Sequence, residues 1–213
     1  MIQVREQSRA FFFLEECPLS DDPTLRFYAD NAAVYPTHAS APTGEPLTAF
    51  LAAVPVSGKI LELGCGNGRD AAHMLSLGFD VDATDGTPEL AAEAEKRLGK
   101  PVRILRFENL DDHATYDGIW ACASLLHVPA ASLADVLARI HRALRPGGTF
   151  TASFKAGTGE GHDQFGRYYN YPTPDALSAN YSAAGWTHVS IDTKMGSGYD
   201  NKPTEWLWVT ARR

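Results

Sequence analysis

From Lys59 onward the apolar positions follow two alternating rhythms: compact runs of five to eight residues, and longer stretches with an apolar side chain at every third or fourth place. The compact runs read as strands buried on both faces, the longer stretches as amphipathic helices. Strands are expected over 59–63, 79–84, 102–107, 116–123 and 149–154. Helices are expected over 69–77, from Thr87-Pro88 to Leu98-Gly99, and along the stripe Leu133, Leu137, Ile140 and Leu144. Thr87-Pro88 supplies an N-cap and an N1 proline, while Ser132 and Asp135 form an N-cap and N3 pair. Strand and helix in alternation, with short links, predict a parallel sheet covered on both faces.

The ends of the chain break that rhythm. Leu25, Tyr28, Ala32 and Tyr35 recur at helical intervals until Pro36, and 46–54 reads as a short helix closed by Pro55. A helix is expected from Thr173-Pro174 to about Ala184. Two strands follow, 187–193 and 205–211, joined by a Gly- and Asp-containing turn, so they should pair antiparallel. The expected architecture is a doubly wound α/β domain with a seven-stranded, mostly parallel sheet and an antiparallel last strand. Residues 1–40 form an N-terminal helical cap, and residues 41–213 the main domain.

Composition narrows the function classes. The 213 residues carry 19 basic and 26 acidic side chains, a formal charge of −7, and 21% charged residues in all. Such a chain is neither disordered nor coiled coil. The acidic balance argues against a general binder of nucleic-acid backbone. Cys17, Cys65 and Cys122 are odd in number and lack metal or redox spacing, which suggests a reducing compartment. The run Ala10–Leu14 is too short and too soon charged for a signal peptide, and no stretch is long enough to span a membrane. The expectation is a cytoplasmic protein with no membrane or nucleic-acid partner. Seven His show no metal spacing, and no metal is expected.

The strongest candidate site is Glu62-Leu-Gly64-Cys65-Gly66-Asn-Gly68, between the first strand and the first following helix. Ligands of open α/β sheets bind beyond the carboxyl ends of the strands. Glycines there let a ligand approach the backbone, and the helix N-terminus offers free N–H groups. Asp85 ends the second strand, 85 − 68 = 17 positions after the last glycine, and suits a carboxylate that takes two ribose hydroxyls. A nicotinamide site has G-x-G-x-x-G; here Arg69 stands where the last Gly or Ala would be.

The run Glu62–Gly68 with Arg69-Asp70, followed by Gly78-Phe-Asp-Val-Asp82-Ala-Thr-Asp85, resembles the class I S-adenosylmethionine-dependent methyltransferases. Among them it is most similar to bacterial small-molecule enzymes related to the tellurite-resistance methyltransferase. The likeness covers about residues 25–213, including Leu-Arg-Pro-Gly-Gly at 144–148 and the closing antiparallel strand. It implies S-adenosylmethionine as cofactor. Gly64, Gly66 and Gly68 would lie against its methionine and ribose parts, with Glu62 and Cys65 in the same loop. Asp85 would hold the ribose, and Gly86 would admit the adenine. Phe107 and either Glu108 or Asn109 would meet the adenine edge, Ala123 would receive the methionine amino group, and Tyr28 would cap the site.

Residues of the acceptor side are read less directly. His127 follows the fourth strand and is the candidate general base; its alternative role is to anchor the loop. Lys155 with Arg167, Tyr168, Tyr169 and Tyr171 would gather cations and rings around a small-molecule or inorganic acceptor, with an anionic one suited to the two cations. A soft acceptor such as a thiolate needs no base, whereas an oxygen or amine acceptor usually does. Two other readings stay open: a non-catalytic cofactor-binding protein on the same fold, and a nicotinamide-dependent oxidoreductase.

Overall fold

The computed structural model describes residues 22–34, 43–199 and 202–213. Helices α1 (Pro23–Asn31) and α2 (Glu45–Ala53) precede the alternating part. There follow β1 (Lys59–Leu63), α3 (Arg69–Ser76), β2 (Asp80–Asp85), α4 (Pro88–Leu98), β3 (Arg103–Ile104), β4 (Tyr116–Ala121), α5 (Ala130–Ala143) and β5 (Leu144–Lys155). A short hairpin, β6 (Glu160–His162) with β7 (Tyr168–Asn170), leads to α6 (Pro174–Ala183), β8 (His188–Ser197) and β9 (Pro203–Arg212). The sheet runs β3-β2-β1-β4-β5-β9-β8. The first five strands are parallel, and β9 lies antiparallel to both β5 and β8. The order reverses between β1 and β4, and ligand crevices open at such a point.

Side chains alternate across the sheet because successive residues of a strand face opposite ways. Ile60 and Trp120 pack with Leu47 and Phe50 of α2, Met74 of α3 and Ala91 of α4. Leu61, Leu63, Ile119 and Ala121 face the other way, into Leu133, Leu137 and Ile140 of α5 and Leu177 and Tyr181 of α6. Two cores thus clamp the central strands, and Glu62 is left near the carboxyl end of β1.

Four expectations are corrected. The third strand shrinks from 102–107 to Arg103–Ile104, since it is an edge with one neighbour, and Phe107–Asn109 curls into a 3₁₀ turn. The fourth ends at Ala121, because Ala123 turns to φ +52°. Ser132 does not cap α5. That helix starts at Ala130 after Pro129, and the carboxylate of Glu160 accepts the Ala130 N–H at 3.0 Å from 30 residues away. The hairpin β6–β7 was not expected at all. Tyr35, Pro36, Cys17 and the early run Ala10–Leu14 lie outside the described residues.

Candidate active site

The glycine loop turns immediately after β1. Gly64, Gly66 and Gly68 take φ of +72°, +56° and +73°, the left-handed region that side chains resist. Gly64 also has no room for more: a Cβ there would lie 2.5 Å from the Cβ of Ser124. Asp85, at the end of β2, is almost fully buried and braces this loop. Its Oδ2 accepts the Gly66 N–H at 2.9 Å and its Oδ1 accepts the Thr87 N–H at 2.9 Å. Burial pushes its carboxyl up to about 6, against the pull of those two N–H donors. Glu62 is buried beside it, and Oε2 has no hydrogen-bond partner. Burial, and then the charge of Asp70, drives this carboxyl well above the usual range.

Behind the loop stands a cluster that the sequence reading did not single out. Asp70 accepts the Thr43 N–H and hydroxyl at 2.9 and 2.8 Å, Arg69 Nε at 2.8 Å and Nη2 at 3.0 Å, and Trp120 Nε1 at 3.2 Å. Burial works to raise its carboxyl, but the Arg69 guanidinium and these donors hold it below the ordinary value. The cluster fastens the segment before α2 to the N-terminus of α3. Arg69, which breaks the nicotinamide pattern, is thereby given a bracing role.

The loop opens on a cavity of about 1100 Å³ that runs along the carboxyl ends of the strands. One half is walled by Glu62, Gly64, Cys65, Gly66, Asp85, Gly86, Phe107 and Glu108. The other is walled by Ala123, His127, Lys155, Arg167, Tyr168 and Tyr169, with α1 contributing Leu25 and Tyr28. Gly68 and Asn109 are not on this wall. Gly68 is the N-cap of α3, and the Asn109 N–H turns back to the Arg106 carbonyl. Glu108 lies within 2.7 Å of the Arg106 guanidinium. Ala123 holds its left-handed backbone with its N–H donated to Ser153 Oγ at 2.8 Å; such strain in a non-glycine residue gathers at functional sites. Burial of Cys65 raises its thiol far above the reactive range.

His127 is partly buried in the cavity wall. Its Nδ1 faces the Tyr168 carbonyl at 2.6 Å, and its Nε2 faces the Tyr28 hydroxyl at 2.8 Å. Burial lowers its pKa to about 4, and the charges of Arg167 and Lys155 act in the same direction. Arg167 is buried too, with Nε and Nη2 both donated to Asp163 Oδ2 at 3.0 and 2.7 Å. Rings of Phe27, Phe165, Tyr169 and Tyr199 lie 4.7 to 5.4 Å from its guanidinium carbon. The fork expected to face an acceptor is therefore engaged by Asp163. Lys155 Nζ sits 4.3 Å above the ring of Tyr169 and 6.0 Å from that of Trp206. Tyr168 bonds through its hydroxyl to Glu160, which fixes the hairpin to α5. Trp206 and Trp208 of β9 also line the cavity; their alternation in the last strand was the available signal. Among the described residues no group of His, Cys, Asp and Glu has the makings of a metal site, and no helix is long and apolar enough to cross a membrane.

Residues 60–148 match a family model described as a methyltransferase domain. A solved structure of 1,6-didemethyltoxoflavin-N1-methyltransferase from Burkholderia thailandensis, with bound 1,6-didemethyltoxoflavin and S-adenosylhomocysteine, is 28% identical. It superposes with a TM-score of 0.70 over 89% of this chain and 84% of that one. Over 136 residues the chain is 30% identical to protein-L-isoaspartate O-methyltransferase of Chlorobium phaeobacteroides, covering 62% of each. Over 128 residues it is 32% identical to a ubiquinone biosynthesis O-methyltransferase of Xanthomonas campestris, covering 55% of this chain and 51% of that one. The chain thus spans between half and two thirds of these two curated relatives.

Proposed function

We propose that this chain, with a class I, S-adenosylmethionine-dependent methyltransferase domain over residues 60–148, moves a methyl group onto a small, flat organic acceptor. The observation that carries the reading is the Gly64–Gly68 loop, braced by Asp85, opening on one cavity whose far half is lined by aromatic rings. The loop's residues fit the cofactor. Gly64 lines the cavity and leaves no room for a Cβ beside Ser124, and Oε2 of Glu62 is a buried acceptor with no protein donor.

The bound cofactor supplies a sulfonium-linked methyl group that a nucleophile takes while the sulfur keeps the bonding electrons. The protein's own residues bind and orient. The Asp85 oxygens, each with one backbone donor, keep lone pairs for two ribose hydroxyls. Glu62 and the carbonyl of Ala123 suit an ammonium group. Gly86 and Phe107 offer an edge and a face to a purine, with Glu108 beside them. Tyr28 and Leu25 of α1 line the cavity beside both halves, which supports reading α1 as a cap over the catalytic domain. Shielding the site from water and holding the reactants in line contributes several kcal/mol, on the order of the effective-molarity gain for oriented reactants.

Tyr169, Trp206 and Trp208 provide flat walls, which favours a planar acceptor over the inorganic oxyanion that the tellurite-resistance resemblance suggests. The Burkholderia relative was solved with 1,6-didemethyltoxoflavin bound. Engagement of Arg167 by Asp163 also removes one of the two cations that favoured an anion. The proposal is tested by calorimetry with S-adenosylmethionine and by transfer of labelled methyl to a panel of heteroaromatic, phenolic and inorganic acceptors. Micromolar cofactor binding with transfer to planar compounds is expected. Binding without transfer to any acceptor would favour a non-catalytic protein. Preference for a nicotinamide dinucleotide would overturn the reading.

A further inference from the structure

Strand β4 stops while its neighbour runs on. The last pair of their ladder sets Ala121 beside Ala152, whereas β5 continues to Lys155. Past that pair the Ala123 N–H meets a side chain in place of a backbone carbonyl, and is donated to Ser153 Oγ at 2.8 Å. The hydroxyl hydrogen of Ser153 is directed to Cys122 Sγ, 3.9 Å away, so its oxygen serves Ala123 as an acceptor. Ser153 is itself held by Trp208, its antiparallel partner on β9.

Ala123 stands at φ +52°, which a non-glycine residue keeps only where its surroundings over-determine it. Two hydroxyls do so from opposite sides of β4. Ser153 on β5 takes the N–H, and Ser124, next in the chain, donates to the Leu63 carbonyl of β1 at 2.7 Å. The turn is thus strung between the acceptor-side strand and the strand that carries the glycine loop. It leaves Ala123 exposed on the cavity wall, and no donor among the described residues reaches its carbonyl. Ser153 has no exposed surface, so it acts on a ligand only through Ala123.

Resting on the methyl-transfer reading, we infer that Ser153 is a positioning residue. By pinning the Ala123 peptide in its left-handed turn, it keeps the Ala123 carbonyl open to the ammonium of the cofactor's amino-acid end. It thereby selects nucleosides that carry that end over those that lack it. A carbonyl gives an ammonium a charge-assisted bond, stronger than one between neutral partners. Relaxed to an extended backbone, Ala123 would prolong β4 and return its carbonyl to the plane of the sheet, away from a ligand. Asp85 and Gly86, at the end of β2, share no hydrogen bond with Ser153, so the ribose and adenine contacts do not depend on it.

Calorimetry with S-adenosylhomocysteine and with methylthioadenosine, which lacks the amino-acid end, tests this. Ser153→Ala should weaken the first about tenfold and the second by less than about twofold. Ser153→Cys keeps the side chain's size with a poorer acceptor, and should show the same preference in smaller measure even where the alanine variant folds badly. Adding Ala123→Gly to Ser153→Ala should recover about threefold or more, since glycine takes a positive φ unaided. Equal loss of both ligands, loss of neither, or no recovery with glycine overturns the inference. Hydrogen exchange of the Ala123 amide reads the bond without any ligand: slow in the parent, faster in Ser153→Ala. Free exchange in the parent overturns the positioning role as well. A parent that binds neither nucleoside would instead strike the cofactor on which the methyl-transfer reading stands.

Discussion

Oδ2 of Asp85 accepts the backbone N–H of Gly66 at 2.9 Å, so the acid that ends β2 holds the glycine loop in shape as well as facing the cavity. Because burial sets its pKa near 6, the two duties respond to pH in opposite senses. The folded carboxyl binds its proton more tightly than the unfolded one. Between about pH 4 and 6 the folded state carries the extra proton, and the free protein loses stability as pH rises, by about 3 kcal/mol. The stability difference between the parent and Asp85→Asn, followed from pH 4 to 7, should show that slope. Cofactor affinity should run the other way, roughly tenfold weaker at pH 5 than at pH 7, as protonation removes an acceptor. A flat titration in calorimetry would contradict the role given to Asp85.

Gly64→Ala should abolish cofactor binding and lower stability by about 1–3 kcal/mol, since the new Cβ meets Ser124 in a left-handed backbone. Ser124 cannot retreat freely, because its hydroxyl is donated to the Leu63 carbonyl at 2.7 Å. Thermal melts with and without cofactor read both effects. An alanine variant that melts like the parent and is stabilised by the cofactor would contradict the cradle.

Removal of Asp70 leaves the buried Trp120 indole, the Thr43 groups and Arg69 without their common acceptor. Asp70→Ala should cost about 3–5 kcal/mol in urea denaturation, as when one partner of a buried pair is lost. Its lowered pKa gives the parent a stability that is present above about pH 4 and lost as pH falls through the folded value. The variant should lack that acid-side slope.

Arg167→Ala should raise the acceptor KM with cofactor affinity nearly unchanged, and should destabilise by about 3 kcal/mol because Asp163 loses its partner. Arg167→Lys should recover only part of this, since an ammonium cannot make the two-point contact or lie flat among four rings. A Lys variant equal to the parent in both readouts would show that charge alone matters at this position.

The strands were legible where burial is two-sided. Lys59–Leu63 has the same ends in sequence and structure, because the glycine loop leaves no choice about where β1 stops. The loop and Asp85 were legible for the same reason: few residues fit a close backbone approach. The acceptor half was not. Asp163 lies four residues before Arg167, yet only the hairpin turn brings them together, and β6 and β7 are too short to show a period. The cap of α5 comes from Glu160, and the partner of His127 comes from 99 residues earlier, so neither is written in the local pattern.

The strand order has a consequence for assembly. β9 follows every other strand of the sheet in sequence and yet lies inside it, between β5 and β8. Until β9 arrives, β5 presents an open edge rich in apolar residues and β8 has no neighbour to bond. Contacts of such long sequence separation form slowly, and an intermediate with strands β1–β5 in place would expose an aggregation-prone seam. The aromatic wall made by Trp206 and Trp208 is carried by this same late strand. The aromatic wall of the cavity is therefore completed at the step that seals the sheet, and a chain cut before residue 203 should lose solubility and that wall together.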